Sequence, residues 1–228
     1  MPAFILSDRR VDLSELMDDS DCDLNMLRET YRQFSTVNGL LTGWRRVYVR
    51  FIRPILRDES TILDVGCGGG DLLLRLAGWA AKDGFKVHIT GIEPDQRAVD
   101  YVRSIDLPEN VVVEQTTTSD LVHEGRRFDI VVSNHVLHHL SPAELRDFLA
   151  ESKLISTKLV LHNDIRRDDL AYFGFMPMWF FFRNSFIVPD GLTSIRRSYK
   201  PNELRQVVSS EWTVKPMPLF RNLLFSRA

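Results

Sequence analysis

A chain of 228 residues, 44% hydrophobic and 26% charged, can bury one substantial core and lies near the upper range for a single α/β domain. Its formal net charge is -2, and its basic residues are scattered in pairs such as Arg45-Arg46, Arg126-Arg127, Arg166-Arg167 and Arg196-Arg197, which disfavours a nucleic-acid partner. Two cysteines, Cys22 and Cys67, provide no disulfide framework and fit a reducing cytoplasm.

Met1 to Arg10 has neither a basic start nor an apolar stretch long enough for a signal peptide, so a cytoplasmic protein is expected. Apolar residues recur at helical intervals over Leu24 to Phe34 and Leu40 to Leu56, with Asn38-Gly39 as the break between two helices. These make an N-terminal helical extension over 1–57, followed by the main domain over 58–228.

Ile62 to Val65 is an apolar run that leads into Gly66-Cys67-Gly68-Gly69-Gly70 and then a leucine-rich helical pattern. A buried parallel strand ending at Val65 and a helix opening near Gly70 direct backbone N–H groups and a positive helix end toward one crevice. The stretch departs from G-x-G-x-x-G, because the third glycine arrives early. A second strand, Val87 to Ile92, ends in Glu93-Pro94-Asp95 about twenty residues later, a spacing that suits an acid on the hydroxyls of a ribose. Capping of the next helix is the other role open to Glu93.

Val111 to Glu114 reads as a third strand and Phe128 to Ser133 as a fourth. Pro142 to Ile155 is an amphipathic helix with Ser141 as its N-cap, and Leu159 to His162 is a fifth strand. A helix from Pro201 to Val208 precedes two closing strands, Trp212 to Lys215 and Leu223 to Phe225. Alternation of this kind builds a parallel α/β sheet.

Three pieces resemble the Rossmann-like class I S-adenosylmethionine-dependent methyltransferases: Leu63-Asp64-Val65-Gly66-Cys67-Gly68-Gly69-Gly70, Gly91-Ile92-Glu93-Pro94-Asp95, and Phe128 to Leu140 with its Asn134-His135-Val136-Leu137-His138-His139 loop. The resemblance covers about Thr61 to Asn163. It implies helices on both faces of a seven-stranded, mostly parallel sheet of order 3-2-1-4-5-7-6, and S-adenosyl-L-methionine as cofactor. The residues it points to around that cofactor are Asp64, Gly66, Cys67, Gly68, Gly70, Glu93, Pro94, Asn134 and His135. Where many relatives carry an adenine-binding acid this chain has Thr116-Thr117-Thr118, so a hydroxyl of Thr117 or Thr118, or a backbone carbonyl, stands in, and Asp120, which lies too late, is open to a role as cap of the following turn.

Tyr31 to Arg46 is similar to the entrance helices of ubiquinone and menaquinone methyltransferases, which makes Tyr31 and Trp44 candidates for a substrate wall. Asp190 to Leu204 resembles the matching part of bacterial methyltransferases of type III polyketide and isoprenoid quinone pathways; Arg196 or Arg197 there either steers a phenolate or carboxylate or pairs with Asp190 or Glu203. The insertion at about 166–199 is unusually aromatic from Tyr172 to Phe182. Phe175 and Trp179 belong to a pocket lid if it covers a lipophilic site; core packing, a homodimer interface and peripheral membrane contact are the other uses of such a surface. Its longest greasy stretch, Leu170 to Val188, is interrupted by Pro177 and Arg183 and falls short of a membrane span.

An oxygen acceptor that resembles a phenol needs a proton acceptor near neutral pH, and His139 or His162, at the ends of the fourth and fifth strands, is placed to serve. No His, Asp and Cys cluster stands at metal-ligand spacing, so no metal is expected. The expected activity is methyl transfer to oxygen, or to carbon, of an aromatic or lipophilic small molecule by a monomer or homodimer. A protein that binds the cofactor without turnover, recruited to a membrane or a partner, and an NAD-dependent oxidoreductase are the alternatives.

Overall fold

The computed structural model describes residues 6–227; Met1 to Ile5, the start of the segment read for a signal peptide, and Ala228 lie outside the described residues. Its centre is a seven-stranded sheet in the order β3-β2-β1-β4-β5-β7-β6. The strands are β1 Ser60–Val65, β2 Val87–Ile92, β3 Val111–Glu114, β4 Phe128–Asn134, β5 Ser156–Ile165, β6 Thr213–Met217 and β7 Arg221–Arg227. β1 pairs in parallel with β2 and β4, while β7 runs antiparallel to both β5 and β6.

Side chains alternate across a strand, and here each strand feeds two cores in turn. Ile62, Ile130, Val132, Leu159, Leu161 and Leu223 join one face; Leu63, Val65, Val131, Val160 and Leu224 join the other. The first face is covered by α2 Trp44–Val47, α3 Asp71–Lys82 and α4 Gln96–Arg103, the second by α5 Thr118–His123, α6 Pro142–Leu154 and α9 Pro201–Val207. α6 begins in a capping box between Ser141 and Glu144. Among the described residues, no helix is long and apolar enough to cross a membrane.

The N-terminal helices differ from the sequence expectation. α1 is one helix, Leu24–Leu41, that runs through Asn38-Gly39, and the break falls at Gly43 in a left-handed turn with φ 68°. Asn38 is held by its Nδ2, which donates to Asp71 Oδ1 at 3.1 Å, and Gly39 is pressed against the guanidinium of Arg75. The glycine that signals a break is there to let two helices touch. β5 is ten residues rather than four, because Asn163 and Asp164 continue its ladder against Leu223 and Asn222 of β7.

Gly91, inside β2, closes a similar contact: a Cβ there would stand 2.6 Å from Leu73 Cδ1 and 2.9 Å from Cys67 Sγ. Gly91→Ala is therefore expected to cost about 1–3 kcal/mol through overpacking between β2 and α3. Urea unfolding measures it; a loss under about 0.5 kcal/mol would mean the contact relaxes freely.

Candidate active site

The carboxyl ends of β1, β2, β3 and β4 open into a cavity of about 670 Å³ that continues under α1, α7 Asp169–Phe175 and α8 Ile187–Arg197. That volume lies within the roughly 300–1,000 Å³ of small-molecule sites.

The glycine turn forms one wall through Asp64, Gly66, Cys67, Gly68, Gly69 and Asp71. Four of its amides are not the free donors expected from the sequence. Gly66 and Cys67 N–H groups donate to Ile92 O at 2.9 and 3.1 Å, Gly68 N–H to Glu93 Oε2 at 3.0 Å, and Gly70 N–H to Cys67 O at 2.9 Å. Gly70 belongs to the turn rather than the cavity wall: it has φ 77° and its Cα side faces Val102, 3.1 Å from where a Cβ would be. Gly68 is the open point, where an added Cβ would meet nothing within 4 Å. The turn offers close approach to backbone, and its polar capacity resides in carboxyls.

Asp64 Oδ1 is buried without a hydrogen-bond partner, and burial, with Asp71 and Glu93 nearby, pushes this carboxyl well above the usual range. Burial pushes Asp71 up to about 6 despite its Asn38 bond. Glu93 is also raised by burial; its Oε1 accepts from Asp95 N–H at 3.2 Å. The helix cap at this tip is Asp95, whose Oδ1 accepts from Arg97 N–H at 2.8 Å, so Glu93 does not cap α4 and faces the cavity beside Pro94.

Thr117 and Thr118 reach the wall, yet their hydroxyls are occupied. Thr117 and Asp120 form the capping box of α5, with Thr117 Oγ1 and Asp120 Oδ2 2.7 Å apart, and Thr118 Oγ1 donates to Glu151. Asp120 is thus a cap. At the end of β4, Asn134 Oδ1 accepts from Arg221 Nη2 at 2.9 Å, and His135, at φ 65°, has Nε2 3.2 Å from Arg221 Nη1. Burial and then that guanidinium depress the His135 pKa well below its ordinary value. Arg221, which also donates to Asn163 Oδ1 at 3.1 Å, carried no local sequence signal, because β7 brings it in from the far end of the chain.

The two candidate bases separate. His139 lines the cavity with its side chain 31% exposed, 3.8 Å from Glu15 and 3.5 Å from Asp18. His162 is fully buried on the sheet face between Phe148 and Trp212, its Nδ1 2.8 Å from Ser133 Oγ. It cannot reach an acceptor and is a core residue, because β5 continues past it and alternation turns it away from the cavity. Burial pushes its pKa down to about 3. An unfolded histidine titrates near ~6.5, so stability is complete above that value and is lost as pH falls, when only the unfolded chain takes the proton. His162→Phe is expected to retain about 2 kcal/mol more of its pH 7 stability at pH 5 than the parent does, read from urea melts at both pH values; equal losses would refute it.

Sequence reading missed the network around His138, which is 1% exposed. Its Nδ1 is 2.8 Å from Asp164 Oδ1 and its Nε2 3.1 Å from Glu15 Oε1, while Ser194 Oγ donates to Glu15 Oε1 at 2.6 Å. Burial lowers the His138 pKa, but the two carboxylates prevail and push it up to about 9; the Glu15 carboxyl, raised by burial, is held by His138 down at about 2. Glu15, His138 and His139 thereby gather at metal-ligand distances that no spacing along the chain revealed, as do His135, His138 and Asp164.

The far end of the cavity is apolar, with Phe34, Val37, Leu41, Phe175, Met178 and Ile187. Tyr31 lines it near the glycine turn, where Gly69 has no room for a side chain against it. Trp44 does not form a substrate wall; it is 3% exposed in the core beneath the sheet. Trp179 is also misplaced by the sequence reading, since it is 60% exposed on the outer side of the lid with Phe180 and Phe181. Arg196 is half-buried and does not line the cavity, its carbonyl taken by Arg10 N–H at 3.0 Å, while Arg197 is buried and donates to His139 O.

Residues 62–155 match the family model described as a methyltransferase domain. A ubiquinone biosynthesis O-methyltransferase of Bartonella tribocorum is 26% identical over 155 residues, 67% of this chain and 59% of that protein, so the chain spans about three fifths of that relative's length. A 27-O-demethylrifamycin SV methyltransferase of Amycolatopsis mediterranei is 34% identical over 89 residues, 37% of this chain and 31% of that protein. In fold, a plantazolicin methyltransferase in complex with SAH superposes with a TM-score of 0.67 at 12% identity, over 93% of this chain and 94% of that one. Human N-acetylserotonin methyltransferase in complex with SAM gives 0.63 at 12% identity, over 90% and 56%. Sheet order, glycine turn, strand-tip glutamate and these likenesses agree: the chain has the Rossmann-like methyltransferase fold, and its residues 62–155 match the methyltransferase domain.

Proposed function

We propose that the chain transfers a methyl group from S-adenosyl-L-methionine to an oxygen of a hydrophobic aromatic small molecule. The observation that carries this reading is a single cavity with a carboxyl-lined end at the glycine turn, an apolar end under α1 and the lid, and His139 in its wall. Asp64, with its orphaned Oδ1, and Glu93 fit a cofactor that brings an ammonium, a sulfonium and ribose hydroxyls. A dinucleotide fits poorly: its pyrophosphate would meet Asp64, Asp71 and Glu93, while the turn's amides at 66, 67, 68 and 70 are already bonded.

When bound, the cofactor supplies an electrophilic methyl, so the protein's own tasks are alignment, exclusion of water and proton removal. Phe175 and Met178 of the lid exclude water over the apolar end, and His139 takes the acceptor's hydroxyl proton at a ring nitrogen. The relatives named for ubiquinone biosynthesis and for 27-O-demethylrifamycin SV support the small-molecule class. Calorimetry with S-adenosylmethionine, S-adenosylhomocysteine and NAD, followed by labelled-methyl assays on alkylresorcinols, quinols and flavonoid-like phenols, tests the proposal. Binding of the sulfonium with turnover of a phenol is expected; binding without turnover of any acceptor favours a cofactor-binding partner protein, and preference for NAD overturns the assignment.

A further inference from the structure

Glu15, His138 and His139 are arranged more elaborately than a single proton acceptor requires. Glu15 Oε1 lies 3.1 Å from His138 Nε2 and 3.8 Å from His139 Nε2, and one ligand atom from each of the three falls within 4.8 Å of the others. Donors bound at about 2.0–2.2 Å around a tetrahedral dication stand roughly 3.3–3.5 Å apart. We propose that Glu15, His138 and His139 form a binding site for a divalent first-row cation such as Zn²⁺, Co²⁺ or Mn²⁺, open toward the cavity.

Each ligand has the support a metal site needs. Asp164 Oδ1 stands 2.8 Å from His138 Nδ1, which fixes the proton there and leaves the Nε2 lone pair to the ion. Asp18 Oδ2 lies 3.5 Å from His139 Nδ1 and adds negative charge beside that ring, and Ser194 Oγ orients Glu15 Oε1 from 2.6 Å. The turn that carries both histidines is clamped by Arg9, whose Nη2 donates to the carbonyls of His138 and Leu140, each at 2.8 Å. Three carboxyls, Glu15, Asp164 and Asp18, surround two imidazoles, so the cluster favours a dication electrostatically. The other triple, His135, His138 and Asp164, has the Arg221 guanidinium 3.2 Å from His135 Nε2, which opposes a cation there. Mixed nitrogen and oxygen donors suit zinc, cobalt and manganese. Positions left open on the ion face the cavity and take water or a phenolic oxygen, and the ion fastens the segment bearing Glu15 to the β4 loop.

The site shares His139 with the methyl-transfer reading, but cation binding is read without turnover, so the failure of one is distinguishable from the failure of the other. The chelator-treated full chain is titrated with Zn²⁺ by calorimetry and with Co²⁺ by visible absorption. Saturable binding of one ion per chain is expected, together with cobalt d–d bands of low coordination number. Glu15→Gln and His139→Ala are each expected to weaken it at least tenfold, and Asp164→Asn by roughly 10–100-fold through His138. His139 is partly exposed, so His139→Ala serves if Glu15→Gln fails to fold. His88→Ala, at an exposed histidine on another edge, should leave binding unchanged. No saturable binding, or binding that Glu15→Gln and His139→Ala do not alter, overturns the site; turnover that persists after chelation leaves methyl transfer standing with His139 as the acceptor of the proton.

Discussion

Glu93→Ala is expected to raise the dissociation constant for S-adenosylhomocysteine roughly ten- to a hundredfold, equivalent to about 1.4–2.8 kcal/mol. Two losses combine. A charge-assisted bond to ribose hydroxyls disappears, and the glycine turn loses its tie, since Glu93 Oε2 holds Gly68 N–H at 3.0 Å and Oε1 holds Asp95 N–H at 3.2 Å. The fold itself should survive, because Asp95 still caps α4 and Gly66 still bonds Ile92. Calorimetry on the variant, with a thermal melt as control, reads the two effects apart. A variant that melts like the parent and binds as tightly would remove Glu93 from the cofactor site and with it the reading of the second strand tip.

The parts of the fold legible in the sequence were those set by local pattern. Glycines after an apolar run, an acid at the next strand tip and a Ser141-to-Glu144 cap each depend on residues a few positions apart, and the structure places each of them as local chemistry requires. Asn38-Gly39 misled for the complementary reason. Its meaning is tertiary, a close approach of α1 to Asp71 and Arg75 on α3, and a glycine needed for space looks in the sequence like one needed for a turn.

The site divides along the same line. Asp64, Gly68 and Glu93 come together in one wall because β1 and β2 are neighbours. Trp44 and Trp179 are substrate-wall candidates by side-chain type alone, and type does not tell whether an aromatic faces core, cavity or solvent. Glu15, Asp164 and Arg221 were invisible: each is an ordinary charged residue until the N-terminal segment, β5 and β7 carry it to the β4 loop. Their burial is the signal, and it exists only after folding.

The largest effect is expected from His139→Ala, which should lower kcat for a phenolic acceptor by roughly 10²–10⁴-fold while the dissociation constant for S-adenosylhomocysteine stays within about twofold. His139 meets the cavity beside Glu15 and Asp18, and its charge acts on Glu93 only weakly, after burial, two backbone bonds and Asp95, so binding at the glycine turn should scarcely register its loss. A structural role would depress activity at every pH. A role in proton removal predicts something narrower: a phenol with pKa near ~10 ionises by itself as the medium becomes alkaline, so the variant's rate should climb about tenfold per pH unit toward that value. The climb belongs to the acceptor, and it shifts to lower pH with a more acidic phenol such as one bearing a nitro group. Pre-steady-state methyl transfer across pH 7–10 with two such phenols measures it. A flat profile, or one indifferent to the acceptor's acidity, would assign His139 to packing and leave the proton to another group.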